Sequence, residues 1–185
     1  MKTAFFFLSR ARIAALALLA AWFAGPGERH AQSPDAQLPN GLACKKVPPD
    51  GHVTSNPIAC TLSCAKGGKL ASALALTPRT TAGLTITIMG TCVEAVDQVP
   101  GNVTLQSASS GDGFQAPASS SNPVLGISGA GVTLDNLTIS GGANALLVRN
   151  GAAAVGNNLE IEGSSIRNVL VNGVLTLNSS TIENL

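Results

Sequence analysis

A 22-residue repeat is the feature of this sequence that most restricts its fold. Short apolar alternations begin at equal intervals along the chain, at Val103, Leu125, Leu147 and Val169. Asn, Gly and Ser separate them, and these residues favour tight corners between short strands. Repeats of this length, built from strands with two-residue alternation, predict a solenoid whose coils stack as parallel strands about 4.8 Å apart. Each coil is then stabilised mainly by its neighbours.

Two columns of equivalent residues follow from this repeat. The first is a structural ladder of polar side chains that close the repeats, Gln106, Ser128, Asn150 and Asn172. The second pairs a leucine-type position with an isoleucine position in each coil: Leu134 and Ile139, then Val155 and Ile161, then Leu177 and Ile182. A β-sandwich would require the spacing to be a coincidence, and the L-x-x-L-x-L consensus of leucine-rich repeats is missing.

Arg149 tests the register of the repeat. A strict 22-residue step places it in the inward column with Ile127 and Val171. Burying an unpaired guanidinium among aliphatic side chains is strongly unfavourable. We therefore predict a one-residue slip, which turns Leu146 and Val148 inward and leaves Arg149 at a corner, facing solvent.

The amino terminus has the pattern of a secretory leader. Lys2, Arg10 and Arg12 precede an apolar run over residues 13–24, shorter than the roughly 20 residues that span a bilayer. This pattern predicts a signal peptide over residues 1–31 and a secreted or periplasmic protein, with no membrane contact after cleavage. The alternative is an uncleaved anchor, because Phe5–Leu8 lengthens the apolar stretch.

The composition predicts a thin β structure with a polar exterior. Charged residues are 11% of the chain and the net charge is +1, so no electrostatic feature indicates a nucleic acid partner. The single Trp lies in the leader, and there is no Tyr. Residues 107–123 are rich in Ser, Gly, Ala and Pro, which predicts a protruding loop with Phe114 as an exposed aromatic.

Three segments resemble a known family. LTITIMGTCVEAVDQVPGNVTLQS (residues 84–107), GVTLDNLTISGG and GVLTLNSSTIEN are similar to bacterial secreted proteins with right-handed β-helix repeats, in the pectin-lyase-like superfamily. In these proteins a Cys-containing segment with a short helix precedes a strand ending in G-T-C, as Gly90-Thr91-Cys92 does here. The resemblance implies an all-β fold, a right-handed, single-stranded parallel β-helix with a short N-terminal capping helix. It implies no particular activity, because the superfamily includes lyases, hydrolases, epimerases, adhesins and proteins of no known activity.

The expected organisation is a leader, a Cys-containing lead-in over residues 32–67, and a cap with the first coils over residues 68–185. An even number of Cys in an exported chain indicates disulfides. Three pairings can be drawn, and we expect Cys44–Cys60 and Cys64–Cys92. The alternative, a zinc site, would have His52 as its only nearby imidazole.

A capping helix is predicted over residues 68–76, before the lead into the first regular strands. Leu70, Leu74 and Leu76 should face the core, and Pro78 should end the helix. Its role would be to cover the apolar end of the solenoid.

Acidic residues supply the best candidate site. Glu160 and Glu162 flank the inward Ile161, and Glu183 follows Ile182 as Glu162 follows Ile161. The carboxylates of Glu162 and Glu183 should therefore stack about 5 Å apart. With Arg167 nearby, these residues are the candidates for a weak Ca²⁺ or sugar-binding site. The interpretation that we favour is a solvated strand face with one ion pair, and no set of catalytic residues is evident.

The function expected from the sequence is that of an exported, non-catalytic β-helix module, structural or binding a polysaccharide or cell-surface component. One alternative is the N-terminal part of a polysaccharide-active enzyme, a pectate-lyase-like lyase, hydrolase or epimerase. The other is a fragment of an adhesin or autotransporter passenger. The chain stops inside a coil, which suggests a truncated protein or an open coil that pairs with another chain.

Overall fold

The computed structural model describes residues 38–183, so the predicted signal peptide lies outside the described residues. Within this range one short α-helix, α1 (Leu70–Leu74), is accompanied by sixteen strands. In chain order the strands are β1 (Leu42–Lys45), β2 (Ile58–Ser63), β3 (Leu84–Met89), β4 (Thr91–Val93), β5 (Val96–Val99), β6 (Val103–Ser107), β7 (Gly113–Gln115), β8 (Leu125–Ile127), β9 (Val132–Asp135), β10 (Thr138–Ser140), β11 (Asn144–Val148), β12 (Ala153–Asn157), β13 (Glu160–Glu162), β14 (Arg167–Val171), β15 (Val174–Asn178) and β16 (Thr181–Glu183).

The strands form three sheets that run along a common solenoid. The first sheet has the order β1-β2-β3-β6-β9-β12-β15, the second β16-β13-β10-β7-β4, and the third β14-β11-β8-β5. Every pairing is parallel except β1 with β2. The six parallel strands of the first sheet mark six coils. The predicted parallel β-helix is confirmed.

The core is built from the inward residues of these short strands. In the first sheet Ile86, Leu105 and Leu134 follow one another across β3, β6 and β9, and all three are fully buried. Gly156 continues this column, because β12 places it level with Leu134. A methyl group at Gly156 would lie 2.5 Å from the Leu159 side chain. Leu159 therefore fills the space that Gly156 leaves.

The second predicted column is confirmed at its isoleucines and wrong at Val155. Ile139, Ile161 and Ile182 are paired in register across β10, β13 and β16. Val155 points out of the first sheet and is 39% exposed, because Gly156 holds the inward position. The sequence suggested Val155 since an apolar residue is ordinarily expected at an inward position.

The 22-residue alignment holds for the strands of the third sheet to within one residue, because Leu146 takes the place of Leu147, and it is wrong for its first member. Leu125 and Val169 both pair with Leu146, so β8, β11 and β14 form one column. Val103 instead belongs to the first sheet, where it pairs with Leu84. Alternating apolar residues reveal a strand but not the sheet to which it belongs, and this ambiguity produced the error.

The predicted slip at Arg149 is confirmed. Leu146 and Val148 are fully buried, and Arg149 lies at a half-exposed corner with its guanidinium paired to the carboxylate of Asp97. The slip overturns the predicted ladder of Ser128, Asn150 and Asn172. Because Val148 pairs with both Ile127 and Val171, the residue level with Ser128 and Asn172 is Arg149, and Asn150 lies one position later.

Asparagine and serine residues make a different column at the corners between the first and second sheets. Asn136, Asn158 and Ser179 have positive φ values of 54°, 50° and 49°. Asn adopts this left-handed conformation more readily than most residues. The N–H groups of Asn136 and Asn158 each donate to the carbonyl of the next coil, at Asn157 and Asn178.

The amino-terminal end is closed by α1 and two disulfides. Leu70, Leu74 and Leu76 are buried as predicted, although α1 is shorter than residues 68–76, and a separate 3-10 turn over Thr77–Arg79 contains Pro78. Both expected disulfides form: Cys44–Cys60 joins β1 to β2, and Cys64–Cys92 joins the segment before α1 to β4. Two disulfides are typical of an oxidising compartment. Within residues 38–183 the structure has no helix of sufficient length and apolarity for a membrane span.

Phe114 corrects the prediction for the segment over residues 107–123. The segment contains β7, which pairs with β4 and β10. Phe114 is level with Cys92 and Ile139 and is 1% exposed. The flanking small and polar residues suggested a loop, but burying the ring removes a large apolar surface from water.

Candidate functional site

The acidic residues lie where the sequence placed them, on the outer side of the second sheet. Ile161 is fully buried, so Glu160 and Glu162 on either side of it point outward. Glu162 is paired in register with Glu183, and Glu160 with Thr138 and Thr181. The Thr138 hydroxyl donates to Glu160 Oε2 at 3.2 Å.

Arg167 does not complete this acidic site. It begins β14 in the third sheet, where it is level with Asn144. The two ion pairs within residues 38–183 join Arg79 to Asp50 and Arg149 to Asp97. Glu162 and Glu183 offer two carboxylates, whereas Ca²⁺ takes six to eight oxygen ligands. In the described part of the chain no three His, Cys, Asp or Glu side chains are grouped to hold a metal.

A second candidate surface is the outer side of the first sheet. Alternate residues of each strand point outward, and strand pairing arranges them in two columns. The first, here called the threonine column, consists of Thr85, Thr104, Thr133, Val155 and Thr176. The second, the amide column, consists of Thr61, Thr87, Gln106, Asp135, Asn157 and Asn178. Together they are called the polar face.

Regular spacing and side-chain hydrogen bonds order the polar face. Neighbouring strands lie about 4.8 Å apart, and residues two positions apart on one strand are about 6.7 Å apart. Gln106 Nε2 donates to the Thr87 hydroxyl at 3.1 Å, and Asn178 Nδ2 donates to Asn157 Oδ1 at 2.9 Å. These bonds between coils orient the amides and leave further donors and acceptors for a ligand.

A shallow depression lies at the amino-terminal end of the polar face. Its volume is about 210 Å³, and its lining includes Lys45, Ala59, Thr61 and Thr87. Thr61 and Thr87 are the first two members of the amide column, so the depression continues that column toward β1. Lys45 adds an ammonium group at its edge.

The sequence concealed the polar face because its strands are unevenly spaced. Thr85 pairs with Thr104, a step shorter than the 22-residue repeat, and Thr104 pairs with Thr133, a step longer than it. Only the last two steps, to Val155 and Thr176, are close to the length of that repeat. The available signal was the T-x-T, T-x-Q, T-x-D, V-x-N and T-x-N pattern of successive strands, which a search for one fixed period does not align.

Glu94 is a buried carboxylate that stabilises the capping helix. It is 9% exposed, and its Oε1 accepts a hydrogen bond from the N–H of Leu70 at 2.9 Å. The N–H groups of a helix's first turn have no partner within the helix, and Glu94 supplies one from outside. Burial raises the pKa of Glu94, while hydrogen bonds from Leu70 and Ala71 and the nearby Lys69 oppose this increase. Glu94 also lines a cleft of about 400 Å³ with Ala71 and Leu74.

The raised pKa of Glu94 gives stability a defined pH dependence. Because the folded state holds this proton more tightly than the unfolded state, the contribution of Glu94 to the free energy of unfolding is greatest below its ordinary pKa of 4.5. It decreases as the pH rises from 4.5 to the higher folded-state pKa. We expect Glu94→Gln to abolish this decrease, so that the variant gains stability relative to the wild type as the pH rises above 4.5.

Denaturant titrations at several pH values measure this effect. Glu160→Gln is the matched control, since Glu160 is exposed on the second sheet, and it should leave the decrease in place. Parallel pH profiles for the wild type and Glu94→Gln would contradict the assignment.

Comparisons of the chain with protein-family models, with curated proteins and with solved structures find no match.

Proposed function

We propose that this chain is an exported, non-catalytic β-helix module of the pectin-lyase-like type, which binds a polysaccharide or another cell-surface component through the polar face. The basic and apolar leader supports export, as do the two disulfides. The similarity of residues 84–107 to secreted β-helix proteins supports the superfamily.

The observation that carries the proposal is the register of the amide column. Six strands present Thr, Gln, Asp or Asn at the same outward position, over about 24 Å at the usual strand spacing. Sugar hydroxyls both donate and accept hydrogen bonds, as these side chains together do. Each such bond contributes only about 1 kcal/mol net, so a long row of them is suited to an extended polymer.

A second candidate function has one observation in its favour. Glu162 and Glu183 are level on adjacent parallel strands, so their backbones are separated by the usual strand spacing of about 4.8 Å. Retaining glycosidases hold their two carboxyl groups about 5–5.5 Å apart. The chain would then be the N-terminal part of a polysaccharide-active enzyme. Incubation with uronate and neutral polymers distinguishes the two functions, because an enzyme would release unsaturated products or new reducing ends.

Binding assays with matched variants test the proposal. The purified protein is run by affinity electrophoresis through gels that contain single polysaccharides, and is sedimented with insoluble polysaccharides and bacterial cells. The triple variant Gln106→Ala, Asn157→Ala and Asn178→Ala should bind at least about tenfold more weakly, given about 1 kcal/mol for each hydrogen-bonding group removed.

The control for this assay is the double variant Glu160→Ala and Glu162→Ala on the second sheet. It should bind as the wild type does, and circular dichroism should show that both variants are folded. Loss of binding in the control with retention in the triple variant would place the site on the acidic residues. Absence of binding to every polymer and to cells would contradict the proposal.

A further inference from the structure

The threonine column is continuous in its methyl groups but not in its hydroxyls. Four of its five members are Thr, and Val155 occupies the remaining position between Thr133 and Thr176. Val has the shape of Thr with a methyl in place of the hydroxyl, and Val155 is 39% exposed. A row of hydrogen-bonding groups is interrupted at this position, whereas a row of β-branched methyl groups continues through it.

These side chains are ordered before any ligand arrives. β-Branched residues have restricted χ1 rotamers. In the polar face each β-branched residue also lies beside another β-branched residue on a neighbouring strand. Binding to such a row loses little side-chain entropy. The polar face therefore presents an apolar stripe beside a hydrogen-bonding stripe, and both are fixed by the same strands.

Aromatic stacking on a single sugar chain has no basis in the described structure. Phe114 is the only Phe, Trp or Tyr between residues 38 and 183, and it is buried. Affinity then has to come from many weak contacts made at once, which requires a ligand that repeats in a fixed arrangement. An ordered solid surface provides this arrangement, and a flexible dissolved chain does not.

The charge of the polar face indicates the class of polymer. Asp135 is the only ionisable residue of the two columns, and Lys45 lies beyond them at the edge of the depression. A polyuronate would bring many carboxylates against a face that lacks a row of cations. An uncharged polymer avoids this electrostatic cost.

We infer that the polar face binds the ordered surface of a solid, uncharged polysaccharide, with the methyl groups of the threonine column packed on its C–H groups and the amide column bonded to its hydroxyls. This inference rests on the proposed function and specifies the ligand of the same site.

Sedimentation with defined probes tests the ligand class. Microcrystalline cellulose and chitin powder are the solid, uncharged probes, hydroxyethyl cellulose is the dissolved one, and polygalacturonate is the charged one. We expect at least one solid to bind at least about tenfold more tightly than hydroxyethyl cellulose or polygalacturonate, as multivalent contacts predict. Equal or tighter binding to a dissolved or charged polymer would overturn this inference and leave the proposed function standing. Binding to no polymer or cell surface would overturn both the inference and the proposed function. Inhibition of ice recrystallisation without polysaccharide binding would likewise overturn them and would identify ice as the surface.

Two triple variants separate methyl groups from hydroxyls. Thr104→Ser, Thr133→Ser and Thr176→Ser removes three methyl groups and should weaken binding to the solid by about tenfold or more, because each buried methyl contributes to affinity. Replacing the same three residues by Val extends the pattern of Val155 and should preserve binding within about threefold, since only the hydroxyls are lost. Thr181→Ser on the second sheet is the control and should have no effect. Strong binding by the Ser variant together with loss of binding by the folded Val variant would overturn the inference.

Discussion

Replacing Phe114 by Ala is expected to lower the free energy of unfolding by about 3–5 kcal/mol, the usual range for a buried Phe. The ring is 1% exposed, and strand pairing places it between Cys92 and Ile139. The other buried side chains of the core are mainly Leu, Ile and Val, so within residues 38–183 no second Phe, Trp or Tyr ring can move into the space. A cavity inside the solenoid should remain, and it would weaken the packing of β4, β7 and β10 against one another.

Denaturant unfolding followed by circular dichroism measures this loss. Phe114→Leu retains most of the apolar volume and should cost less than about 2 kcal/mol. Val93→Ala is the surface control, because Val93 is 54% exposed on the neighbouring strand β4, and it should change stability by less than about 0.5 kcal/mol. Equal stability of Phe114→Ala and Val93→Ala would mean that the ring is not part of the core.

Removal of the Cys64–Cys92 disulfide should have the next largest effect. The bond closes a separation of 28 residues, and the chain-entropy relation assigns it about 3.5 kcal/mol. It joins the segment before α1 to β4, so its loss also weakens the attachment of α1, which buries Leu70 and Leu74 at this end of the solenoid. The double variant Cys64→Ala and Cys92→Ala should therefore unfold at lower denaturant concentration and temperature.

The Cys44–Cys60 disulfide provides a matched comparison. Its separation is 16 residues, and the same relation gives about 3 kcal/mol. Cys44→Ala with Cys60→Ala should thus be slightly less destabilising, and its effect should centre on β1 at the edge of the first sheet. Unchanged unfolding midpoints in both double variants would show that the disulfides do not stabilise the fold.

The sequence predicted the solenoid well wherever the coils are regular. Ile139, Ile161 and Ile182 follow a nearly constant step, so their column could be aligned without a structure. Arg149 was also informative, because the strict 22-residue alignment would have buried its charge at a high free-energy cost. That cost predicted a one-residue slip in the alignment, and the buried Leu146 and Val148 agree with the slip.

The irregular coils limited how much of the remaining strand alignment could be predicted from the sequence. The connections from β6 to β7 and from β7 to β8 are longer than the corresponding connections in the next coil, which lengthens the step from Thr104 to Thr133. Strand β8 therefore begins 22 residues after β6, and the two strands were assigned to one column although they lie in different sheets. The same irregularity concealed the polar face, whose members share an outward position but no fixed spacing. Gly156 could not be identified as an inward residue either, because its place depends on the Leu159 side chain that fills the space.

The most direct test that the polar face is the binding surface is carbodiimide labelling of carboxylates. The labelling is carried out with and without the polysaccharide to which the protein binds. Asp135 lies in the amide column on the first sheet, whereas Glu160, Glu162 and Glu183 lie on the second. We predict that the bound polymer slows labelling of Asp135 several-fold and leaves labelling of the three glutamates unchanged. Protection of the glutamates with unchanged labelling of Asp135 would contradict the account.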